Sequence, residues 1–560
     1  MSKITPLFSP RQPRFSSKQC NLFLICILFF SIPILLSVLS WKHETLVPFV
    51  TRKVQVEITK SSWFEVITKG ITGTNKIKVG LVNFNTRVDD NLYQQLDALN
   101  RKVEVVSVHF DHVNGSLKWE DFFPEWINED SKLGSQPKCP EMPMPQLKDY
   151  GDVNVVVARV PCGVRDVFRL QVNLVVGNLA AENGWVTELE NNLRKVYVVF
   201  IGSCGPMVEI FRCDDLLMHE GEYWVYEPDL KSLKQQMLMP VGSCQIAPGY
   251  SKTGKELWRP HFQKFAYVTI LHSSEAYVCG AIALAHSIPP FEDQNHPAPD
   301  LLLLVDNSIG RDSIRGLKAA GWKIKHLQNI SNPFAQKDAY NNEWNYSKLQ
   351  IWQLTMYEKI IFIDPNVLIL KNIENFFAYP QLSAAPDEIE TLFNSGFMII
   401  EPSQCMFDDM MQKIYKVQSY NNEDDQDYYL NEIFTWWHRL SWKMNYLKYY
   451  KRQRGNNEKR EVPKDVYGIH YFGLKPWMCY RDYDCNWDVE DHHIFASDSA
   501  HQRWWQVYDA MPKKLQSYCG LTKKIEEKIM KQRAKARNAR LINGHWKIEI
   551  KDPRRKNMIG

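Results

Sequence analysis

Charge of one sign is what this chain has little of. Its 560 residues set 68 Lys and Arg against 64 Asp and Glu, a net charge of +4. That balance calls for no nucleic-acid partner, and neither zinc-finger spacing nor an RNA-binding signature occurs. Acids are missing altogether from the first 41 residues, which carry Lys3, Arg11, Arg14 and Lys18. Behind those cations, LFLICILFFSIPILLSVL (Leu22 to Leu39) is apolar except at Ser31, Pro33 and Ser37. About 18 residues is near the lower limit for a helix spanning a bilayer. No small-x-small cleavage site follows, which argues against a removed signal peptide. The basic flank keeps the N-terminus cytosolic and sends the rest across the membrane. The expectation is a type II protein with a cytosolic tail at 1–21, a transmembrane signal anchor at 22–41 and a stem at 42–75.

The rest of the composition is that of a folded protein, with 44% apolar and 24% charged residues. The length exceeds one ordinary core and predicts two or three domains. Ten of the twelve cysteines lie beyond the anchor, an even number that permits disulfides in a lumenal chain. Asn114, Asn329 and Asn345 stand in N-x-S sequons, which suit the same compartment.

Apolar runs and helical spacing divide the chain in two. KIKVGLVNF, VEVVSVHF, VNVVVARVP and KVYVVFIG read as strands, and DNLYQQLDALNRK as a helix. They form a smaller α/β domain over 76–250 without evident chemistry. A second block over 261–521 alternates strand and helix: FAYVTILHS, AYVCGAIALAHSI, DLLLLVDN, SIRGLKAAGW, YSKLQIWQLTMY, KIIFIDPNVLIL and FNSGFMIIEP. Such alternation predicts a mostly parallel sheet covered on both faces. Ligands collect at the carboxyl ends of its strands, and Asp364 stands at one. The segment 522–560 is basic: from Leu521 to Gly560 there are 13 Lys and Arg against 4 Asp and Glu. A solvated helix is the plainer use of such a run, and contact with acidic polysaccharide or lipid headgroups the other. The pairs Trp436–Trp437 and Trp504–Trp505 could line a sugar groove, though core packing is the more ordinary use of such large rings.

Four short stretches carry candidate chemistry. They are IDPN (Asp364 to Asn366), LFNSGFMIIEP (Leu392 to Pro402), in which a glycine turn presents Asn394 and Ser395 before a strand, NNEDDQDYYLNE (Asn421 to Glu432) and IHYFGLKPW (Ile469 to Trp477). Singly each has a bland use as a turn former, a solvated helix start or a core histidine. Their joint order resembles the family-eight glycosyltransferases, the group that contains glycogenin, with its D-x-D, N-S-G, D-Q and H-x-x-G-x-K-P-W motifs. Around them TILHSSEAYVCGAIALAHS, NYSKLQIWQLT, NEIFTWWHRL, KPWMCYRDYDCNWD and HWKIEIKDPRR look like the plant glucuronosyltransferases that substitute xylan.

That resemblance implies an α/β fold class: a GT-A, Rossmann-like catalytic domain with a smaller N-terminal α/β domain and an N-terminal transmembrane helix in the Golgi membrane. It implies a retaining, Mn2+-dependent transferase with UDP-glucuronate as donor and xylan or a related polysaccharide as acceptor. Carried over residue by residue, Asp364, Asn366 and His470 are the metal ligands. Oxygens plus one imidazole suit Mn2+, and a nucleotide-diphosphate leaving group needs a Lewis acid. Lys475 would meet the pyrophosphate as a point charge, and Gly473 would let the backbone approach it. Leu271 and Tyr277 would frame the uracil, and Lys348 would lie near the donor sugar. Pro365 and Phe393 would complete the donor-binding set. Asn394 and Ser395 would bind the sugar, with Asp425 and Gln426 at its anomeric carbon and Asp424 the rival acid. A double displacement needs a nucleophile there and a front-face displacement only a polar group; the residues leave both open.

The chain departs from the family in two places. Asn366 replaces the second acid of D-x-D, which lowers the charge of the ligand set. NNEDDQDYYLNE lacks the family's two glycines and carries extra residues around D-Q. A second reading therefore stands beside the enzyme: an impaired member serving as a scaffold for other Golgi glycosyltransferases. Use of another UDP-sugar is a third.

Overall fold

The computed structural model of the chain describes residues 62–71, 76–84, 103–125, 138–184, 194–247, 264–291, 297–331, 345–389, 391–415, 426–450 and 460–557, with isolated positions between them such as Glu129. The expected anchor, most of DNLYQQLDALNRK, and Asp424 and Asp425 lie outside the described residues. Among the described residues no helix is long and apolar enough to cross a membrane.

The N-terminal sheet contains β1 (Ile77–Val82), β2 (Val103–Val108), β3 (Val155–Arg159), β4 (Tyr197–Ile201), β5 (Leu216–Glu220) and β6 (Tyr223–Tyr226), in the order β2-β1-β3-β4-β6-β5. β1 to β4 pair in parallel and β6 runs antiparallel to β4. α1 (Ser62–Gly70) covers one face through Trp63, Phe64 and Ile67, all buried. These residues fall in the stretch expected as stem. The positions i, i+1 and i+4 share a helical face, and that short pattern was the available signal. α2 (Val167–Gly184) and α3 (Leu230–Met237) lie against the other face.

The second sheet contains β7 (Phe265–Leu271), β8 (Asp300–Val305), β9 (Lys323–His326), β10 (Lys359–Ile363), β12 (Ser383–Pro386), β13 (Phe393–Ile400) and β14 (His438–Arg439). Its order is β14-β12-β13-β10-β7-β8-β9. It is mixed rather than mostly parallel: β10, β7, β8 and β9 are parallel, whereas β13 runs antiparallel to both β10 and β12. A third sheet of β11 (Val367–Ile369), β15 (Tyr446–Leu447) and β16 (Gly468–His470) caps the end of β10. β10 and β13 are buried along their whole length, as central strands covered on both faces must be. α4 (Val278–Ser287), α5 (Arg311–Ala319), α6 (Gln404–Lys413), α7 (Gln426–Ile433), α8 (Asp498–Ala510) and α9 (Lys523–Asn538) complete the layers. YSKLQIWQLTMY, expected as a helix, lies partly in a 3-10 helix over Asn345–Gln353.

The ten cysteines from Cys139 onward all pair, as Cys139–Cys244, Cys162–Cys204, Cys213–Cys405, Cys279–Cys519 and Cys479–Cys485. Cys213–Cys405 ties the N-terminal sheet to α6, and one apolar core runs through both parts. The four tryptophans of the paired motifs are at most 4% exposed, so they do not open a groove: Trp436 and Trp437 pack that core, and Trp504 and Trp505 a second one around α4 and α8. Arg439 is 1% exposed and reaches Glu129, itself 3% exposed, at 3.0 Å. The C-terminal segment folds back as well. Arg554 pairs with Asp552 and donates to the carbonyls of Trp477, Cys479 and Cys519.

Candidate active site

β10 delivers Asp364 to the carboxyl edge of the second sheet. Its N–H donates to Gly396 O of β13 at 2.9 Å, and its carbonyl accepts from Val367 N at 3.0 Å. The second bond closes a four-residue turn with Pro365 at the position where a fixed φ is favoured and an N–H is not needed. β11 then pairs with β16 so that Val367 faces His470. Asn366 straps the same two segments: its carbonyl accepts from Tyr471 N at 3.0 Å and its Nδ2 donates to Tyr471 O at 3.2 Å. The motifs IDPN and IHYFGLK, far apart in sequence, are thus adjacent.

His470 Nε2 lies 3.9 Å from Asp364 Oδ2. Burial, then the charges of Lys475 and Lys348, push the His470 pKa down to about 3. The imidazole is therefore neutral, as a metal ligand must be. Its Nδ1 is buried without a hydrogen-bond partner. With Asn366 Nδ2 committed to Tyr471, its Oδ1 remains as the acceptor. Two oxygens and one neutral imidazole fit a Mn2+-type ion.

Asn394, Ser395 and Gly396 do not form a turn before β13. They lie within it. Glycine is required there for space, because a Cβ on Gly396 would come within 2.4 Å of His470 Cε1. Asn394 Oδ1 accepts from Gly396 N at 3.0 Å and from Asn445 Nδ2 at 2.8 Å. Lys348, buried in the 3-10 helix, holds Ser395 Oγ at 2.7 Å and Asp364 Oδ1 at 3.2 Å. Its Nζ also stands 4.8 Å over the Phe362 ring.

The acid that meets this group from α7 is Asp427. It accepts from Ser395 N at 3.3 Å and from Ser395 Oγ. Gln426 opens the helix. Asp427 was missed because the D-Q pair was the anchor for counting. Asn431, one turn later on the same face, supplies a better one. It bonds the N–H and carbonyl of Phe393 at 2.9 and 3.0 Å. An unbroken row of charge and hydroxyl follows: Asp364, Lys348, Ser395, Asp427.

Lys475 is 9% exposed, and its Nζ donates to Tyr471 O at 2.5 Å. Burial, then the nearby Lys448 charge, lower its pKa to about 8. It stands 5.8 Å from the Tyr277 ring. Gly473 has φ +68, a conformation glycine adopts without strain. Asn486 grips the following residue through Leu474 N at 2.8 Å and Leu474 O at 3.0 Å. Asp484 holds Asn486 N at 3.0 Å and Lys448 Nζ at 2.6 Å, a buried frame for the loop. Leu271 ends β7 with its side chain in the core. The structure thus brings Lys348, Asp364, Asn366, Ser395, His470 and Lys475 to one place.

The Asn366 strap has a measurable consequence. An Asn366→Asp chain gains ligand charge but sets a carboxylate oxygen against the Tyr471 carbonyl. The expected result is tighter Mn2+ binding with about 1 kcal/mol lower stability, read by metal titration and thermal melting. Unchanged stability would mean the strap contributes nothing.

The N-terminal part, residues 51–244, matches the GUX1-5 N-terminal domain, and residues 268–479 match glycosyl transferase family 8. The second match agrees with a GT-A-like α/β architecture built on mixed sheets. UDP-glucuronate:xylan alpha-glucuronosyltransferase 2 of Arabidopsis thaliana is 44% identical over 88% of this chain and 82% of its own. UDP-glucuronate:xylan alpha-glucuronosyltransferase 1 of the same plant is 40% identical over 86% of this chain and 72% of its own. Among solved structures the chain is similar to galactosyltransferase LgtC in complex with donor and acceptor sugar analogs, at 15% identity and a TM-score of 0.32 over 45% of this chain and 99% of that one. On identity sustained across both domains, the chain belongs to the plant UDP-glucuronate:xylan alpha-glucuronosyltransferase (GUX) family, with a family 8 glycosyltransferase domain.

Proposed function

We propose that this protein transfers glucuronic acid from UDP-glucuronate to the xylan backbone with retention, in the Golgi lumen, held there by the Leu22–Leu39 anchor. The observation that carries the reading is the convergence of Asp364, Asn366, neutral His470, Lys348 and Lys475 on one sheet edge, in a chain of this family. Asp364, Asn366 and His470 would hold Mn2+, which when bound supplies a Lewis acid for the diphosphate leaving group. Lys475 binds the pyrophosphate as a buried cation, in surroundings where a charge acts more strongly than in water. Lys348 and Ser395 orient the sugar, and Asp427 holds the Ser395 hydroxyl. The Asn486 and Asp484 frame keeps the Lys475 loop in place before the donor arrives.

The test is transfer by the full chain from UDP-glucuronate to xylo-oligosaccharides with Mn2+. Equal or faster transfer from UDP-glucose would overturn the donor assignment, and no transfer at all would favour the scaffold role. The pH profile provides a second check. Lys475 is charged below its lowered pKa and loses its charge above it. Donor kcat/KM is therefore expected to fall as pH rises through about 8. Lys475→Ala should remove that limb and lower kcat/KM about 10²-fold. An alkaline limb that survives Lys475→Ala would assign it elsewhere.

A further inference from the structure

A cavity of about 730 Å³ lies outside the site just described, between α9, the start of α5 and the Leu474–Met478 loop. Its apolar surface comes from Val278, Leu474, Trp477, Tyr518 and Ile525. Lys524 and Lys528, one turn apart on α9, line one side. Both are exposed, and neither enters an ion pair among the described residues. Lys531 and Lys535 continue them at i+7 and i+11 from Lys524, also exposed. This spacing keeps all four on one helical face, a ridge about 16 Å long. The acids opposite are already committed. Glu275 accepts from Gly310 N at 2.6 Å and Ser313 Oγ at 3.1 Å, and Asp312 pairs with Arg315.

We propose that this groove binds an acidic polysaccharide, namely a xylan chain that already bears uronic acid. The inference rests on the xylan reading above. An apolar and aromatic floor suits the C–H faces of pyranose rings, whereas a neutral acceptor alone has no use for four exposed lysines in a row. The ridge calls for anions repeated along a line. The concavity fits a chain better than it fits a flat lipid surface. Leu474 and Trp477 flank Lys475 in sequence, so the bound chain would lie on the far side of the loop that holds the pyrophosphate. The product of one transfer would then be held while the next acceptor residue is served.

The experiment uses the full chain and three probes: a glucuronate-bearing xylo-oligosaccharide, the same oligosaccharide with its carboxyl reduced, and vesicles of anionic phospholipid. Calorimetry should show the acidic oligosaccharide binding at least ~10-fold more tightly than the reduced one, a preference weakened by salt. Lys524→Glu with Lys528→Glu should abolish that preference. Transfer to a short unsubstituted xylo-oligosaccharide should stay within about twofold, and transfer to substituted chains should fall. Equal binding of the two oligosaccharides, a preference that survives the double change, or binding of the vesicles alone would overturn the proposal. Loss of transfer to every acceptor in the unaltered chain would refute the xylan function instead, and the binding comparison would still report on the groove.

Discussion

Asp364→Asn is expected to lower donor kcat/KM about 10³-fold while the chain stays folded. A Lewis acid at a leaving phosphate contributes several kcal/mol, and each 1.36 kcal/mol is a factor of ten. Asp364 is the charged member of the proposed Mn2+ set, whose other two, Asn366 and His470, are neutral. The substitution therefore removes the whole negative charge of the ligand set. The fold should tolerate it, because the backbone bonds to Gly396 and Val367 do not involve the side chain. Lys348 keeps Ser395 as a partner. Steady-state kinetics and Mn2+ titration should fail together, with little change in melting temperature. Activity within tenfold of the unaltered chain would remove Asp364 from the metal set.

The second large effect concerns stability. Glu129→Ala is expected to cost about 3–5 kcal/mol, the usual result of stripping one partner from a buried pair. Glu129 receives Arg439 Nε at 3.2 Å and Nη2 at 3.0 Å, Ser441 Oγ at 2.5 Å and Trp442 N at 3.1 Å. Its loss takes the Glu129 carboxylate, with four hydrogen bonds, away from a buried guanidinium at the edge of the sheet that bears the site. Denaturant unfolding with disulfides intact measures the change. Glu129→Gln keeps an acceptor and should lose less, and adding Arg439→Met to Glu129→Ala should recover part of the loss. A cost below 1 kcal/mol would mean that the junction is held by the apolar core alone.

Much of this arrangement was legible in the sequence because buried strands write themselves as apolar runs. KIIFI announced β10, and the acid at its end marked the site. Pro365, Asn366 and the glycines were harder to read, because their reasons lie across the fold. Gly396 was taken for a turn residue, yet what demands a glycine there is the His470 ring on another strand. Asp427 was not singled out because its partner, Ser395 on β13, is near it only in the folded chain. α1 was lost to the stem because nine residues carry too few apolar positions to stand out. Disulfide partners are not written in cysteine spacing at all. The mixed pairing of β13 depends on long connections whose direction no local pattern records.

The hold of Arg554 on Trp477, Cys479 and Cys519 bears on how the gene can be cut or extended. A stop codon anywhere after the family 8 match but before Arg554 would strip the Trp477, Cys479 and Cys519 carbonyls of that donor and leave the loop that carries Lys475 poorly supported. The codons for Asp552 and Arg554 therefore serve the site as much as the motif codons do. A tag placed after Arg554 needs a spacer that leaves Arg554 seated, and damage there would register as lost catalysis rather than as a trimmed tail.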